Sequence, residues 1–423
     1  MDNKIILFIN FILFSILFFF LWQLDDNVLN AYGIFLMIYL FSKMLFSFTY
    51  KEYKGTVKKD YKVACVIPSY NEAGNGLINT LESIANQTYP VEEIYFIDDG
   101  SPDKSGMLEL MAYVNNNKEK YKNVIIHLAE QNKGKRHAQA YAFERSNADV
   151  FFTVDSDTYV YPNALEELLK AFNDEKVFAV TGHVNARNRD ENLLTRLIDI
   201  RYDNAFRVER AAQSYTGNIL TCSGPLSCYR REVVIPNLEH YTNQKFLGVP
   251  VNIGDDRCLT NFANRLGKTK YQTTARATTD VPNNINQFLR QQIRWNKSFF
   301  RESIIAVKMI NKRPIVAFWS LLEIVLFFML TFSMFVFIFS FERGLHSVFV
   351  LIAGVILSAF ARNIHYAIKH PFLFLISPLY AMLHLFLLQP IRMYALLTIR
   401  DAKWGTREKL TEVHIEEKEE DNE

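Results

Sequence analysis

Residues 5–22, IILFINFILFSILFFFLW, contain no charged side chain, and residues 314–341 contain only Glu323. A helix needs about 20 apolar residues to cross the hydrocarbon core of a bilayer. These segments exclude a wholly soluble protein, a disordered chain and a fibrous repeat. The chain-wide averages hide them: across 423 residues, 49% hydrophobic and 22% charged is near a soluble protein's composition. A formal net charge of +2 argues against a strongly basic nucleic-acid binder. Cys65, Cys222, Cys228 and Cys258 form no C-x-x-C pair and no zinc spacing. They read as free thiols on the reducing side of a membrane.

Residues 1–22 lack a small-x-small cleavage site, and a second apolar stretch, about 29–48, follows at once. Residues 1–50 therefore read as a transmembrane hairpin rather than a signal peptide. Lys51, Lys54, Lys58, Lys59 and Lys62 come next. The positive-inside rule puts them, and the domain they open, in the cytoplasm of a multi-pass plasma-membrane protein. Residues 51–283 alternate short apolar runs with helical patterns, from KVACVIPSY to ALEELLKAF. That alternation predicts an α/β domain with a doubly wound, mainly parallel sheet, whose ligands sit beyond the carboxyl ends of the strands. An amphipathic stretch covers 284–313. The region 314–398 is apolar again: a third span at about 314–341, a fourth at about 346–361, the basic ARNIHYAIKHP, then 372–398 broken by Ser377-Pro378 and Gln389-Pro390. The basic stretch is expected to be cytoplasmic and 372–398 to be a bent helical pair, for about four to six spans in all. Residues 399–423 form a basic, then acidic, cytoplasmic tail.

The polar clusters fall at predicted strand ends. Asp155-Ser-Asp157 offers hard oxygens to a divalent cation, or serves as a turn with capping acids. Asp98-Asp99-Gly-Ser and Pro68-Ser-Tyr70-Asn-Glu72 are either ligand-facing or ordinary strand exits. Lys133-Gly-Lys135-Arg136 precedes a helix and suits phosphate, or is a solvated charge cluster. Gly254-Asp255-Asp256-Arg257 opens a helix with a candidate general base or an N-cap. Arg290-Gln-Gln-Ile-Arg294-Trp295 lies on the amphipathic stretch, where Arg and Trp also suit a membrane surface.

Taken in order, these motifs resemble the processive family-2 glycosyltransferases. Within them the chain resembles the class I hyaluronan synthases of the streptococcal type, through VIPSYNEA, IDDGSPD, NKGKRHAQA, TVDSDTYVYPNALEELL, GDDRCLTN, QQIRWNKSFFRES and WGTREK. The resemblance implies a cytoplasmic GT-A domain between N- and C-terminal membrane helices. It would polymerise UDP-glucuronic acid and UDP-N-acetylglucosamine into hyaluronan by inverting transfer, with Mg²⁺ or Mn²⁺, and export the growing chain. Asp256 would be the general base and Asp157 the metal ligand. Tyr70, Glu72, Asp98, Lys133, Asp155, Arg294, Trp404 and Arg407 would bind UDP, the last two in a WGTR gating loop. Ser223, Gly224, Pro225 and Trp295 would hold the acceptor sugar. Membrane lipid is an expected partner; nucleic acid and an obligate protein partner are not. The alternative product is a neutral polymer, chitin or poly-N-acetylglucosamine.

Two further expectations follow. Lys43 lies about 10 Å from the cytoplasmic end of the second span and Glu323 roughly 13 Å into the third, at 1.5 Å per residue. Charges at matched depth are expected to pair, because a lone charge in hydrocarbon is costly. Cys222, Cys228 and Cys258 adjoin proposed site residues, so bulky thiol reagents are expected to inhibit by obstruction.

Overall fold

The computed structural model describes residues 3–22, 27–339 and 345–401. Its central domain is built on an eight-stranded sheet. The strands are β1 (Val63–Ser69), β2 (Glu93–Asp98), β3 (Val124–Leu128), β4 (Val150–Thr153), β5 (Tyr159–Val160), β6 (Val177–Ala186), β7 (Ser227–Arg230) and β10 (Lys268–Thr279). A separate small hairpin, β8 (Lys245–Phe246) and β9 (Val249–Pro250), precedes β10. Across the sheet the order is β3-β2-β1-β4-β7-β6-β10-β5. The pairs β1/β2, β1/β4, β2/β3 and β6/β10 are parallel. Strand β7 runs antiparallel to both β4 and β6, and β5 antiparallel to β10. The expected mainly parallel sheet is present, with β7 and the short β5 as its reversed members. Strands β1 and β4 are buried at every position, as parallel strands covered on both faces must be.

This topology decides where the polar clusters go. β1, β2 and β4 are adjacent and run the same way, so the residues after each emerge along one edge of the sheet. The strand ends and the loops after them carry Tyr70 and Glu72, Asp98 and Asp99, and Asp155 and Asp157.

The helices Asn3–Trp22 and Asn27–Thr49 pack on Leu345–Lys369 through Phe14, Leu17, Leu40, Met44 and Ala361. Among the described residues, Ala31–Thr49, Pro314–Phe339, Leu351–Lys369 and Pro371–Leu397 are long and apolar enough to cross a membrane. The basic stretch after residue 361 is helical: the helix runs on to Lys369. Its polar groups are met by the central domain: Asn204 donates to the Arg362 carbonyl at 2.6 Å and Tyr366 to Asp199 at 2.8 Å. The region 372–398, expected to be a helical pair, is instead one continuous run from Ser377 to Leu397. Ser377–Leu383, the wide turn His384–Leu388 and Gln389–Leu397 make one bent rod. Both its flanks touch the central domain, through Arg189–His370 at 3.1 Å and Arg400 to the Leu247 carbonyl at 3.3 Å.

Lys43 Nζ stands 3.9 Å from Glu323 Oε1 and 4.0 Å from the centre of the Trp319 ring. The attraction is therefore part ionic and part cation–π, both partners lying on one helix. Changing Lys43 or Glu323 to Leu is expected to impair synthesis, and the double change to cost less than the two losses added together. Strict additivity in that cycle would refute the coupling.

Candidate active site

An open cleft of about 630 Å³ lies along the carboxyl edge of the sheet, and its lining includes Tyr70, Glu72, Asp155, Asp157, Asp256 and Trp295. Asp155 and Asp157 follow β4. Thr279, at the end of β10, donates to Asp157 at 2.8 Å. Burial, then the neighbouring Asp155, pushes the Asp157 carboxyl up to about 7. Glu72 accepts from Ser156 at 3.0 Å, and burial raises its carboxyl as well.

The opposite wall is the start of the helix Asp255–Leu266. Gly254 precedes it at φ +83, a backbone that L side chains rarely adopt. A Cβ there would also collide with the Ser298 side chain on the helix Ile285–Val307, which carries Arg294 and Trp295. The two elements close on each other because residue 254 has no side chain. Asp256 accepts from the Arg257 amide at 2.8 Å. Burial, then the ionised Asp255 beside it, raises the Asp256 carboxyl. Asp255 goes the other way: burial would raise it, but Lys135 and Arg136 together hold it low.

Lys135 ties the walls together. Its ammonium lies 2.6 Å from Asp155 Oδ1 and 3.2 Å from Asp255 Oδ2. A Cβ on Gly224 would sit 3.2 Å from Asp155 and 3.3 Å from this ammonium, so the Ser223-Gly-Pro turn approaches the pair through a glycine. Ser223 accepts from Arg210 at 2.8 Å, and Trp295, 45% exposed, stands 6.4 Å from Tyr202 between ring centres.

Beneath the second wall, buried Arg136 donates to the carbonyls of Ile253 at 3.2 Å and Gly254 at 3.1 Å. Arg301 donates to the same Ile253 carbonyl at 2.6 Å. Two guanidinium groups thus fix the backbone that leads into Asp255 and Asp256.

Of the residues expected at the site, the cleft brings together Tyr70, Glu72, Asp155, Asp157, Ser223, Gly224, Pro225, Asp256, Arg294 and Trp295. Asp98 is buried behind it, with its carboxylate accepting from the Ser101 amide at 2.9 Å and from the Ser101 hydroxyl. Asp99 lines the cleft instead and accepts from the amides of Lys133 and Gly134. The Lys133 side chain is exposed outside the lining, and Lys135 takes the place inside. Trp404 and Arg407 fall outside the described residues. Sequence reasoning missed Lys135 and Asp99, although both lie in motifs it had singled out.

All four cysteines are free and buried. Burial pushes Cys222 and Cys258 up to about 12. Little thiolate is available, so inhibition by obstruction is expected to develop slowly. N-ethylmaleimide is expected to react slowly at neutral pH and faster once the domain is loosened by mild urea. Rapid stoichiometric inactivation would overturn this.

The sequence model described as Glycosyl transferase family 2 matches residues 64–236. A mannosyltransferase from Pyrobaculum calidifontis, solved in complex with GDP-Man and Mn²⁺, superposes with a TM-score of 0.62 at 18% identity, covering 92% of this chain and 99% of that one. The fold is that of a GT-A glycosyltransferase carrying membrane-length helices. Hyaluronan synthases of Streptococcus pyogenes are 58% identical over 393 residues, 92% of this chain and 94% of theirs. An N-acetylglucosaminyltransferase of Azorhizobium caulinodans is 34% identical over 82% of this chain and 87% of its own. The chain belongs to the hyaluronan synthase family of family-2 glycosyltransferases.

Proposed function

We propose that this enzyme polymerises UDP-glucuronic acid and UDP-N-acetylglucosamine into hyaluronan at the cytoplasmic face of the plasma membrane and exports the product through its own helices. The observation that carries the reading is 58% identity to hyaluronan synthases across 92% of the chain. The much lower identity to the N-acetylglucosaminyltransferase disfavours a neutral polymer. The test is incubation of purified protein with both UDP-sugars, then digestion of the product with a hyaluronan-specific lyase. A lyase-resistant polymer, or one made without UDP-glucuronic acid, would overturn it.

Asp256 is the proposed base. Its carboxylate takes the proton of the acceptor hydroxyl as that oxygen attacks the anomeric carbon; the bond to the diphosphate breaks and UDP leaves from the opposite face. Trp295 and the Ser223–Pro225 turn hold the acceptor ring, and Lys135 and Arg294 lie on the diphosphate side. The acids after β4 suit a divalent cation: Asp155 and Asp157 face one cleft, and Asp157 is a carboxylate that gains from a neighbouring positive charge. Among the described residues no three acidic, His or Cys groups close a coordination shell by themselves. Diphosphate oxygens and water would complete it, as is usual for Mg²⁺. A bound cation neutralises charge on the departing diphosphate. EDTA is expected to silence the enzyme reversibly, and Asp157→Ala to lose both activity and the response to added Mg²⁺. Full activity in EDTA would remove the metal from the reading.

A further inference from the structure

The cleft does not end at the transfer centre. The lining that holds Trp295 and Ser223 also includes Arg210, Glu209 and Arg201, together with Tyr380 and Glu323 from the apolar helices Ser377–Leu383 and Pro314–Phe339. Part of this arm is formed by the π-helical turn Ala205–Arg210, a wide turn of a kind often found at functional sites. The turn brings Glu209 and Arg210 to the cavity together.

The ion pairing in the arm is unequal. Arg201 holds Glu209 with both ends of its guanidinium, at 3.1 and 3.3 Å. Arg362, from the helix Leu345–Lys369, reaches the same carboxylate at 3.5 Å. Two cations therefore share one acid. Burial would raise that acid, but Arg201 and then Arg362 outweigh it and hold it down to about 2, so it stays ionised. All three side chains remain about a third exposed, and Arg201 and Glu209 line the cavity: 32% for Arg201, 29% for Glu209 and 38% for Arg362.

We propose that Arg201, Glu209 and Arg362 form a carboxylate-exchange station for the glycan leaving the transfer centre: an arriving uronate carboxylate takes one guanidinium while Glu209 keeps the other. The inference rests on the hyaluronan reading, in which every second sugar carries a carboxylate. A polyanion entering a low-dielectric arm needs a cation, yet an arginine with no acid beside it would be a costly buried charge and would grip the polymer. Glu209 meets both difficulties. It offsets one of the two guanidinium charges when a neutral sugar occupies the arm, and it competes for the arginine when a uronate does. Each exchange replaces one ion pair with another of the same charge, so the polymer is recognised without being trapped.

The test measures binding of hyaluronan oligosaccharides, and of N-acetylglucosamine oligomers of equal length, to the detergent-solubilised full chain, with UDP affinity followed as a check on folding. Arg201→Gln is expected to weaken hyaluronan binding about tenfold and to shorten the polymer. Glu209→Gln is expected to tighten hyaluronan binding and slow elongation, the opposite sign. Binding of the neutral oligomers should change by less than about twofold, since no ion pair with the ligand is at stake. If Arg201→Gln loses its fold, the sign of the Glu209→Gln change decides alone. Weakened or unaltered hyaluronan binding in Glu209→Gln, or equal shifts for both glycans, would overturn the station. Lyase digestion of the wild-type product separates the two readings. A resistant product overturns the hyaluronan assignment, whereas a digestible product with charge-indifferent variants overturns only the station.

Discussion

Asp256→Asn is expected to keep UDP binding and to lose polymer synthesis by about 10²–10⁴-fold, the usual worth of a positioned general base. The carboxamide has nearly the same shape and cannot accept the proton. The backbone around it should not move, because Gly254 and the guanidinium groups of Arg136 and Arg301 hold that turn independently of the Asp256 side chain. The wild type should show the same group in its pH profile. Asp256 sits above the ordinary carboxylate range because it is buried beside ionised Asp255. It is a base only when deprotonated, so kcat should fall as pH drops through that raised value, earlier than for an exposed aspartate. Near-normal synthesis by Asp256→Asn would remove it from the role. Asp255 would be the next candidate, although its engagement with Lys135 at 3.2 Å makes it a poorer proton acceptor.

What could be read from the residues alone follows from what is local. The strands ending in PSYNE, DDGS and DSD announce themselves by apolar runs and turn residues, and parallel pairing then brings their ends together. Three features depend on geometry that spacing does not carry. In Lys133-Gly-Lys135, Gly134 adopts φ +99 and turns the chain, so the second lysine enters the cleft. In Asp98-Asp99, the following Ser101 claims the first acid and leaves the second to face the loop at 133–134. The basic stretch 361–369 continues the preceding apolar helix, and Asp199, Asn204 and Glu209 supply its partners from far along the chain. The π-helical turn Ala205–Arg210 has no sequence period of its own and surfaces only in three dimensions.

Lys135→Met should be nearly as damaging as loss of the base, for a different reason. The ammonium lies between Asp155, on the wall assigned to the metal and diphosphate, and Asp255, beside the base. Burial alone would push Lys135 down; Asp155 and Asp255 more than offset this and hold it charged. Since pairing raises Lys135, its contribution to stability is present through the neutral range and is lost only as pH rises through the folded-state value. Removing it leaves two carboxylates facing each other without a cation. Breaking a buried pair on one side costs about 3–5 kcal/mol, and partial exposure of all three groups reduces that, so up to about 3 kcal/mol is expected as a lower thermal midpoint. The chemistry should change with it. Without the ammonium, the Asp255–Asp256 pair takes up a proton more readily, so the acid limb of kcat moves to higher pH. Lys135→Arg is expected to rescue only in part, because a planar guanidinium does not present the compact point charge that now meets Asp155 and Asp255. An unshifted acid limb together with an unchanged thermal midpoint in Lys135→Met would show that the two walls do not depend on this cation.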